Sequence, residues 1–332
     1  MTATLRPMNL GEILDRAFQI YRARFFAFAG VAAIPVFATE LIQFVDYTWL
    51  HVRSLVQPGW TKSGLYFWNF VVGLGFYHIA IVLTMLLFPA FIRLSSALMF
   101  DESASFRSSI RFALISWPRY FWIAILKLLA GLVFPELVAA GLLIAEAIFA
   151  IVTGTLKGTK GIEAVLVFAV PALTGIILFL WIGACLSLAF PAAALEQLKG
   201  FPALRRSWAL TKRTRTRIWF IWLAIAVSIW ILVWGLEFSL GKLMYFVGME
   251  LHIANAMRNL YGPTVYVLVT AINIIFLPIY PIALTLFYYD QRIRREGYDV
   301  ERMMESAGLT APVHLSVEGS LITTTAEEEV QA

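Results

Sequence analysis

The sequence predicts an all-α polytopic membrane protein with six transmembrane helices, arranged as three repeated units that each join an interfacial helix to a helical hairpin. Three observations carry this reading. The 332-residue chain is 60% hydrophobic and 14% charged, with a mean hydropathy of +0.78, whereas soluble domains carry about 25% charged residues. Six apolar runs reach the roughly 20 residues needed to cross a bilayer. Short arginine-bearing amphipathic stretches recur around Arg16, Arg111 and Arg206 at equal intervals of 95 residues, and an aromatic-Pro pair recurs at Phe88-Pro89, Phe190-Pro191 and Tyr280-Pro281. A period of this kind is the mark of internal duplication.

The first unit, about 8–100, opens with Leu10, Ile13, Leu14, Ala17, Phe18 and Tyr21 at the spacing of one helix face, with Glu12, Asp15, Arg16, Gln19 and Arg22 opposite. Asn9 suits the cap position, and Glu12 three residues later completes a capping box. Spans are expected at about 25–45 and 66–92. The second unit, about 101–198, repeats the apolar face at Phe106, Ile110, Ala113, Leu114 and Trp117 and places spans at about 120–140 and 164–189. Tyr120 to Thr155 is nearly unbroken and too long for one span. By equivalence with the wet loops expected at 46–65 and 241–262, residues 141–163 are expected to lie along the outer interface and not to cross. The third unit, about 199–300, starts with Phe201, Leu204 and Trp208 and has spans at about 218–240 and 263–289. The membrane domain thus covers 1–305. From 306 to 332 the chain is rich in Gly, Ser and Thr, has no Lys or Arg, and ends near Glu327-Glu328-Glu329, which predicts a disordered cytoplasmic tail.

Charge orients the six spans. Nineteen Lys and Arg fall on the side holding both termini and six on the other, with Lys127 inside a span. The positive-inside rule then puts both termini in the cytoplasm, with the chain multi-pass in the membrane. Glu12 and Asp15 precede the first apolar run and no basic n-region leads a short apolar core, so the first span is read as its own insertion signal. The single cysteine, Cys185, excludes a disulfide framework and reads as packing. The basic residues adjoin apolar runs, which argues against a nucleic-acid partner.

The opening Leu10-Gly11-Glu12-Ile13-Leu14-Asp15-Arg16-Ala17-Phe18 through Tyr21-Arg22, the segment Ala203-Leu204-Arg205-Arg206-Ser207-Trp208, and Tyr288-Tyr289-Asp290 with Arg292, Arg294 and Glu296-Gly297-Tyr298-Asp299 resemble a group of bacterial integral membrane proteins of unknown function. That group is similar to the membrane domain joined to glycerophosphoryl diester phosphodiesterases, and the resemblance implies the bacterial cytoplasmic (inner) membrane. The resemblance covers most of residues 8–303, and its motifs are topological. In those enzymes catalysis belongs to a separate soluble barrel with His and Glu ligands. About 40 residues follow the last span here, too few for a barrel of roughly 250 residues, so the resemblance implies no catalysis.

The residues agree. His51, His78, His252 and His314 fall in no HExxH or triad-like setting, and no metal site, cofactor or enzymatic activity is expected. Lipid-modifying chemistry would need a nucleophile or metal set that the sequence does not offer. The expected role is that of a non-enzymatic accessory or interaction component contacting anionic lipids or a membrane protein partner. The candidate contact residues are Arg205, Arg206, Lys212, Arg213, Arg215 and Arg217 with Trp208, since each basic side chain near an anionic leaflet contributes about 1 kcal/mol. Leu204 and Trp208 should lie on the buried face, with Arg205, Arg206 and Lys212 toward headgroups. The second reading is a small-solute or ion transporter or channel, drawn from Glu40, Glu136 and Glu237, each in the outer part of a unit's first span, with His78 and Lys127 as further intramembrane polar candidates. An ionisable group in hydrocarbon costs about 2.5–3.5 kcal/mol on insertion scales and so needs a partner or water. His78 is expected to bond a neighbouring helix, Gly73 and Gly75 to allow close packing, and Lys127 to snorkel. In a Cys185→Ser background, single cysteines at 54 and 255 should react with a periplasmic maleimide and those at 110 and 205 should not; the reverse pattern inverts the topology.

Overall fold

The computed structural model describes residues 6–56, 62–100, 102, 105–153 and 162–306. They form α1 (Leu10–Ala23), α2 (Phe25–Val56), α3 (Lys62–Leu86), α4 (Phe88–Met99), α5 (Phe106–Ile115), α6 (Trp117–Leu128), a π-helical turn (Leu129–Val133), α7 (Phe134–Val152), α8 (Ile162–Cys185), α9 (Ala189–Leu195), α10 (Phe201–Thr211), α11 (Arg215–Glu250), α12 (Ala254–Phe276), α13 (Ile279–Glu296) and α14 (Tyr298–Ser306). Among the described residues there is no strand. Six helical stretches are long and apolar enough to cross a membrane: Phe25–Val45, Phe70–Met99, Trp117–Val152, Ala169–Leu195, Arg215–Glu250 and Ala254–Glu296. The tail from 307 onward, expected to be disordered, lies outside the described residues.

The second, fourth and sixth stretches each contain a break just before the aromatic-Pro pair. Proline lacks an N–H and clashes with the preceding turn. The helix therefore ends at Leu86, Cys185 or Phe276 and resumes as α4, α9 or α13. Backbone groups freed at a break need new partners. At the second break, Ser207 of α10 donates to the Cys185 carbonyl at 2.7 Å and accepts from the Leu188 amide at 3.1 Å. Pro135 has a milder effect: the register slips to a π turn whose closing bond runs from the Phe134 amide to the Leu129 carbonyl.

The outer connections are more helical than the sequence suggests. Most of 46–65 and 241–262 continues α2, α3, α11 and α12, and 141–152 continues α7. Residues 141–152, expected to lie along the outer interface, continue the helix of the third candidate span, while 154–161 lies outside the described residues. Helix satisfies each interior amide and carbonyl within its own segment, and the paired arms support each other. Gly175 lets α8 approach α7 closely, since a Cβ there would lie 3.0 Å from the Ala139 Cβ.

The six long segments close a ring, in which α2 packs on α3, α3 on α6, α7 on α8, α8 on α11, α11 on α12, and α12 back on α2. Burial is uneven along this ring. The hairpin tips expose large apolar side chains such as Phe149, Val152, Phe246 and Leu251, as a lipid-facing surface would, while the core gathers where α1 and α13 meet. There Ile13, Phe28, Phe91, Leu188, Leu210, Ile282 and Phe287 form one buried cluster. Residues 281–291 of α13 are buried on every face, because α1, α4, α9, α10 and α11 surround it. Gly297 ends α13 in the left-handed region at φ 65°, a conformation that costs a side-chain-bearing residue strain, and α14 folds back from it.

A fully buried carboxylate ties this end together. Asp290 accepts from the Met8 amide at 2.8 Å, from Arg217 at 3.2 Å, from Gln291 at 3.0 Å and from Arg294 at 2.9 and 3.0 Å. Arg217 and Arg294 also both donate to the Met8 carbonyl. Breaking one side of such a cluster leaves uncompensated charge and costs about 3–5 kcal/mol. Asp290→Asn should destabilise the detergent-solubilised protein by about 3 kcal/mol in thermal unfolding, while Arg258→Ala, at an exposed position, should stay within about 0.5 kcal/mol of the parent. Equal effects of the two would show that the cluster is not the clasp.

Candidate functional site in the helix ring

The arginine-bearing helices fold as their patterns suggest. In α1 the Asn9 side chain accepts from the Glu12 amide at 2.8 Å and Glu12 accepts from the Asn9 amide at 2.7 Å. That bond, with Arg6 beside it, holds the Glu12 carboxyl below the usual carboxylate range. In α10, however, the basic residues divide into two sets. Arg206 is turned inward, with Glu196 at 2.8–3.0 Å and Glu296 at 2.6 Å, and these partners raise its pKa. Tyr288 donates to the same Glu196, and Arg292 reaches Glu296 at 3.1 Å. Arg217 belongs to the Asp290 clasp. Arg215 stacks 5.2 Å from the Trp181 ring and 4.9 Å from the Trp208 ring. The expectation that Arg206 points to headgroups and Trp208 lies buried is thus corrected: acids on α13 and at the end of α9 capture the guanidinium, and Trp208 stays 41% exposed against Trp181. Arg205, Lys212 and Arg213 are exposed, and among the described residues no hydrogen bond or ion pair engages their side chains. Arg295 holds the linker beneath them by donating to the Ala209 and Lys212 carbonyls, with Arg213 at a positive φ of 73°.

The intramembrane acids do not meet one another. Glu136 on α7 lies 3.1 Å from His78 Nε2 on α3. His78 Nδ1 lies 2.6 Å from the Leu74 carbonyl of its own helix. Glu40 on α2 accepts from Tyr266, and from Thr270 at 3.4 Å, both on α12. Each bond joins two ring neighbours across a helix boundary. Glu237 is half-buried on α11, and among the described residues its carboxylate has no partner; Tyr261 donates instead to its backbone carbonyl at 3.4 Å.

Lys127 does not snorkel outward. Its ammonium sits 5.1 Å from the centroid of the Phe190 ring. Phe190, Phe88 and Tyr280, the aromatics of the three aromatic-Pro pairs, come together in the ring, with Phe88 5.7 Å from Phe190 and 6.4 Å from Tyr280. Beside this cluster lies a cavity of about 270 Å³ that Lys127 and Tyr280 line together with Tyr77, Trp219, Trp222 and Gly131 of the π turn. The recurrence of the aromatic-Pro pair, with prolines 102 and 90 residues apart, points to these residues in sequence; that they converge is visible only in the fold. The network of Arg206, Glu196, Tyr288 and Glu296 has no local signature, because its members lie on α10, at the end of α9 and on α13.

Among the described residues, no group of three or more His, Cys, Asp or Glu side chains is placed to hold a metal ion. The polar pairs across helix boundaries act as bonds between neighbours. A double-mutant cycle of His78→Leu and Glu136→Leu should give a coupling of about 1 kcal/mol, within the range measured for interhelical hydrogen bonds in membranes; additive effects would mean that the two do not bond.

Neither a curated protein nor a solved structure matches the chain. Residues 159–306 match the family described as the membrane domain of glycerophosphoryl diester phosphodiesterase, and this part of the chain is similar to that membrane domain.

Proposed function

We propose that this chain is a non-enzymatic component of the bacterial cytoplasmic membrane, with both termini cytoplasmic, built from three repeated units, and that its terminus-bearing face contacts anionic lipid headgroups. The observation that carries the lipid contact is the trio Arg205, Lys212 and Arg213, exposed and unengaged beside the exposed apolar Phe201 and Trp208. Cations next to large apolar side chains on a short helix suit the headgroup layer. The repeat reading is supported by the packing. α5 packs on α4, α10 on α9, and α1 closes the circle on α13, so each arginine-bearing helix leans on the preceding unit's second span. His78 and Thr270 both lie eleven residues before a repeated proline, and each faces an acid of the next unit's first span. The equivalent position in the second unit is Leu180, and among the described residues the carboxylate of the facing unit's Glu237 has no partner. Those same bonds weigh against the transporter reading, because Glu40 and Glu136 are engaged in joining helices.

The test is lipid selectivity around the reconstituted full chain. Spin-labelled phosphatidylglycerol should be motionally restricted roughly two- to fivefold more than spin-labelled phosphatidylcholine at low salt, since 1 kcal/mol is about fivefold. The preference should shrink at high salt and fall markedly when Arg205, Lys212 and Arg213 are all made Ala. Equal restriction of both lipids by the parent protein would reduce the trio to topology anchors.

A further inference from the structure

We propose that the cavity beside Lys127 binds the phosphate-bearing head of a single lipid drawn from the bilayer. The site is separate from the Arg205, Lys212 and Arg213 face, and the inference does not rest on that face. Its lining holds one cation, Lys127, and no acid; its other polar atoms belong to Tyr77, Tyr280, Trp219 and Trp222, whose hydroxyl and indole groups can all donate. Among the described residues none of these five side chains makes a hydrogen bond or ion pair. A cation held in an apolar wall with only a π face beside it is incompletely compensated. A cavity lined by this cation and by four side chains able to donate, with no acid, suits an anion and repels a cation. Lysine serves phosphate as a point charge. The remaining walls, Ile81, Met85, Leu128, Leu132, Phe179 and Leu180 among them, are apolar, which suits the chain attached to that phosphate and disfavours free inorganic phosphate.

Size narrows the occupant. At about 30 Å³ for each water-sized group, about 270 Å³ takes a phosphate with its glycerol or the start of one chain, so the rest of the lipid must lie outside. The shape has a cause in the sequence. The π turn that Pro135 forces sets Gly131 at the cavity wall, and neither Gly131 nor Gly183, which also lines it, would meet any atom within 4 Å if given a Cβ. Open space is therefore maintained by two glycines, a register slip and the aromatic cluster. π turns of this kind are frequent at functional sites.

The test uses the full chain, delipidated in a neutral detergent, with short-chain phosphatidylglycerol, phosphatidylcholine of the same chains and inorganic phosphate as separate probes, binding being read from the shift in thermal unfolding. Phosphatidylglycerol should bind the parent at least tenfold more tightly than phosphatidylcholine, and millimolar inorganic phosphate should neither shift unfolding nor compete. Lys127→Met, which keeps the stem and removes the charge, should lose that tenfold preference. Gly183→Leu, which fills the space and leaves the ammonium, should weaken both lipids. The Arg205, Lys212 and Arg213 triple Ala variant should retain the preference. Unchanged binding in both Lys127→Met and Gly183→Leu overturns the proposal, as does loss of the preference in the triple variant alone, which would move it to the surface. Competition by inorganic phosphate as strong as that by the lipid would reassign the site to the free ion.

Discussion

The fold depends on one carboxylate. Asp290 is fully buried, and the four groups that donate to it come from the segment before α1, from the start of α11, and from α13 itself. A carboxylate offers about four acceptor sites, so Asp290 is saturated. Two of these donors, the Met8 amide and Arg217, come from elements that would otherwise be free to splay. Its bond to the Met8 amide spans 282 residues and closes the ring of helices through the first and last parts of the chain. Around this bond the apolar residues of α1, α4, α9, α10 and α13 pack as they would in a soluble core, and α9 adds Ala189, Ala192 and Ala193, small enough for close approach. The hairpin tips lack any such clasp, and their large exposed side chains need lipid to cover them.

The aromatic-Pro breaks connect that base to the spans. A straight helix of the length of α11, 36 residues, rises about 54 Å, well beyond a hydrocarbon core of about 30 Å. The first, third and fifth spans run this way without a full break, and the second, fourth and sixth break before their proline and tilt into the base. The asymmetry is functional in packing terms. The broken helices supply α4, α9 and α13, whose first turns bring Phe88, Phe190 and Tyr280 together, and the unbroken ones supply the outer frame.

How much of this was legible in the sequence follows from the range of each signal. Apolar runs and helix periodicity are local, so the six spans and the amphipathic faces of α1, α5 and α10 could be read from neighbouring residues. The capping pair Asn9 and Glu12, three positions apart, was legible for the same reason. The partners of Arg206 and Arg217 were not. Asp290 is 73 positions from Arg217, and Glu296 is 90 from Arg206, and periodicity states which face a residue occupies but not what that face will meet. Trp208 was placed on a buried face by spacing alone, because a tryptophan at an interface also needs a neighbour such as Trp181, 5.2 Å away, to decide how far it turns in. The outer loops were read too long because polar composition signals water, and helix is compatible with water when a second arm lies alongside.

The chain thus handles charge in its spans in two ways. Where an acid faces a polar side chain on the adjoining helix, the pair becomes a bond between neighbours: His78 with Glu136, and Tyr266 and Thr270 with Glu40. Each partner then has a bond inside the protein, which lowers the cost of keeping it in a span. Lys127 is arranged otherwise. Its neighbour is the face of Phe190, an interaction that lowers the cost of burial without consuming any of the three ammonium donors. A lysine whose only task was to join helices would sit opposite one of the acids that these spans already contain. Its position beside a cavity, among aromatic walls and with no hydrogen bond or ion pair among the described residues, is what separates a residue kept for packing from one kept available to a ligand.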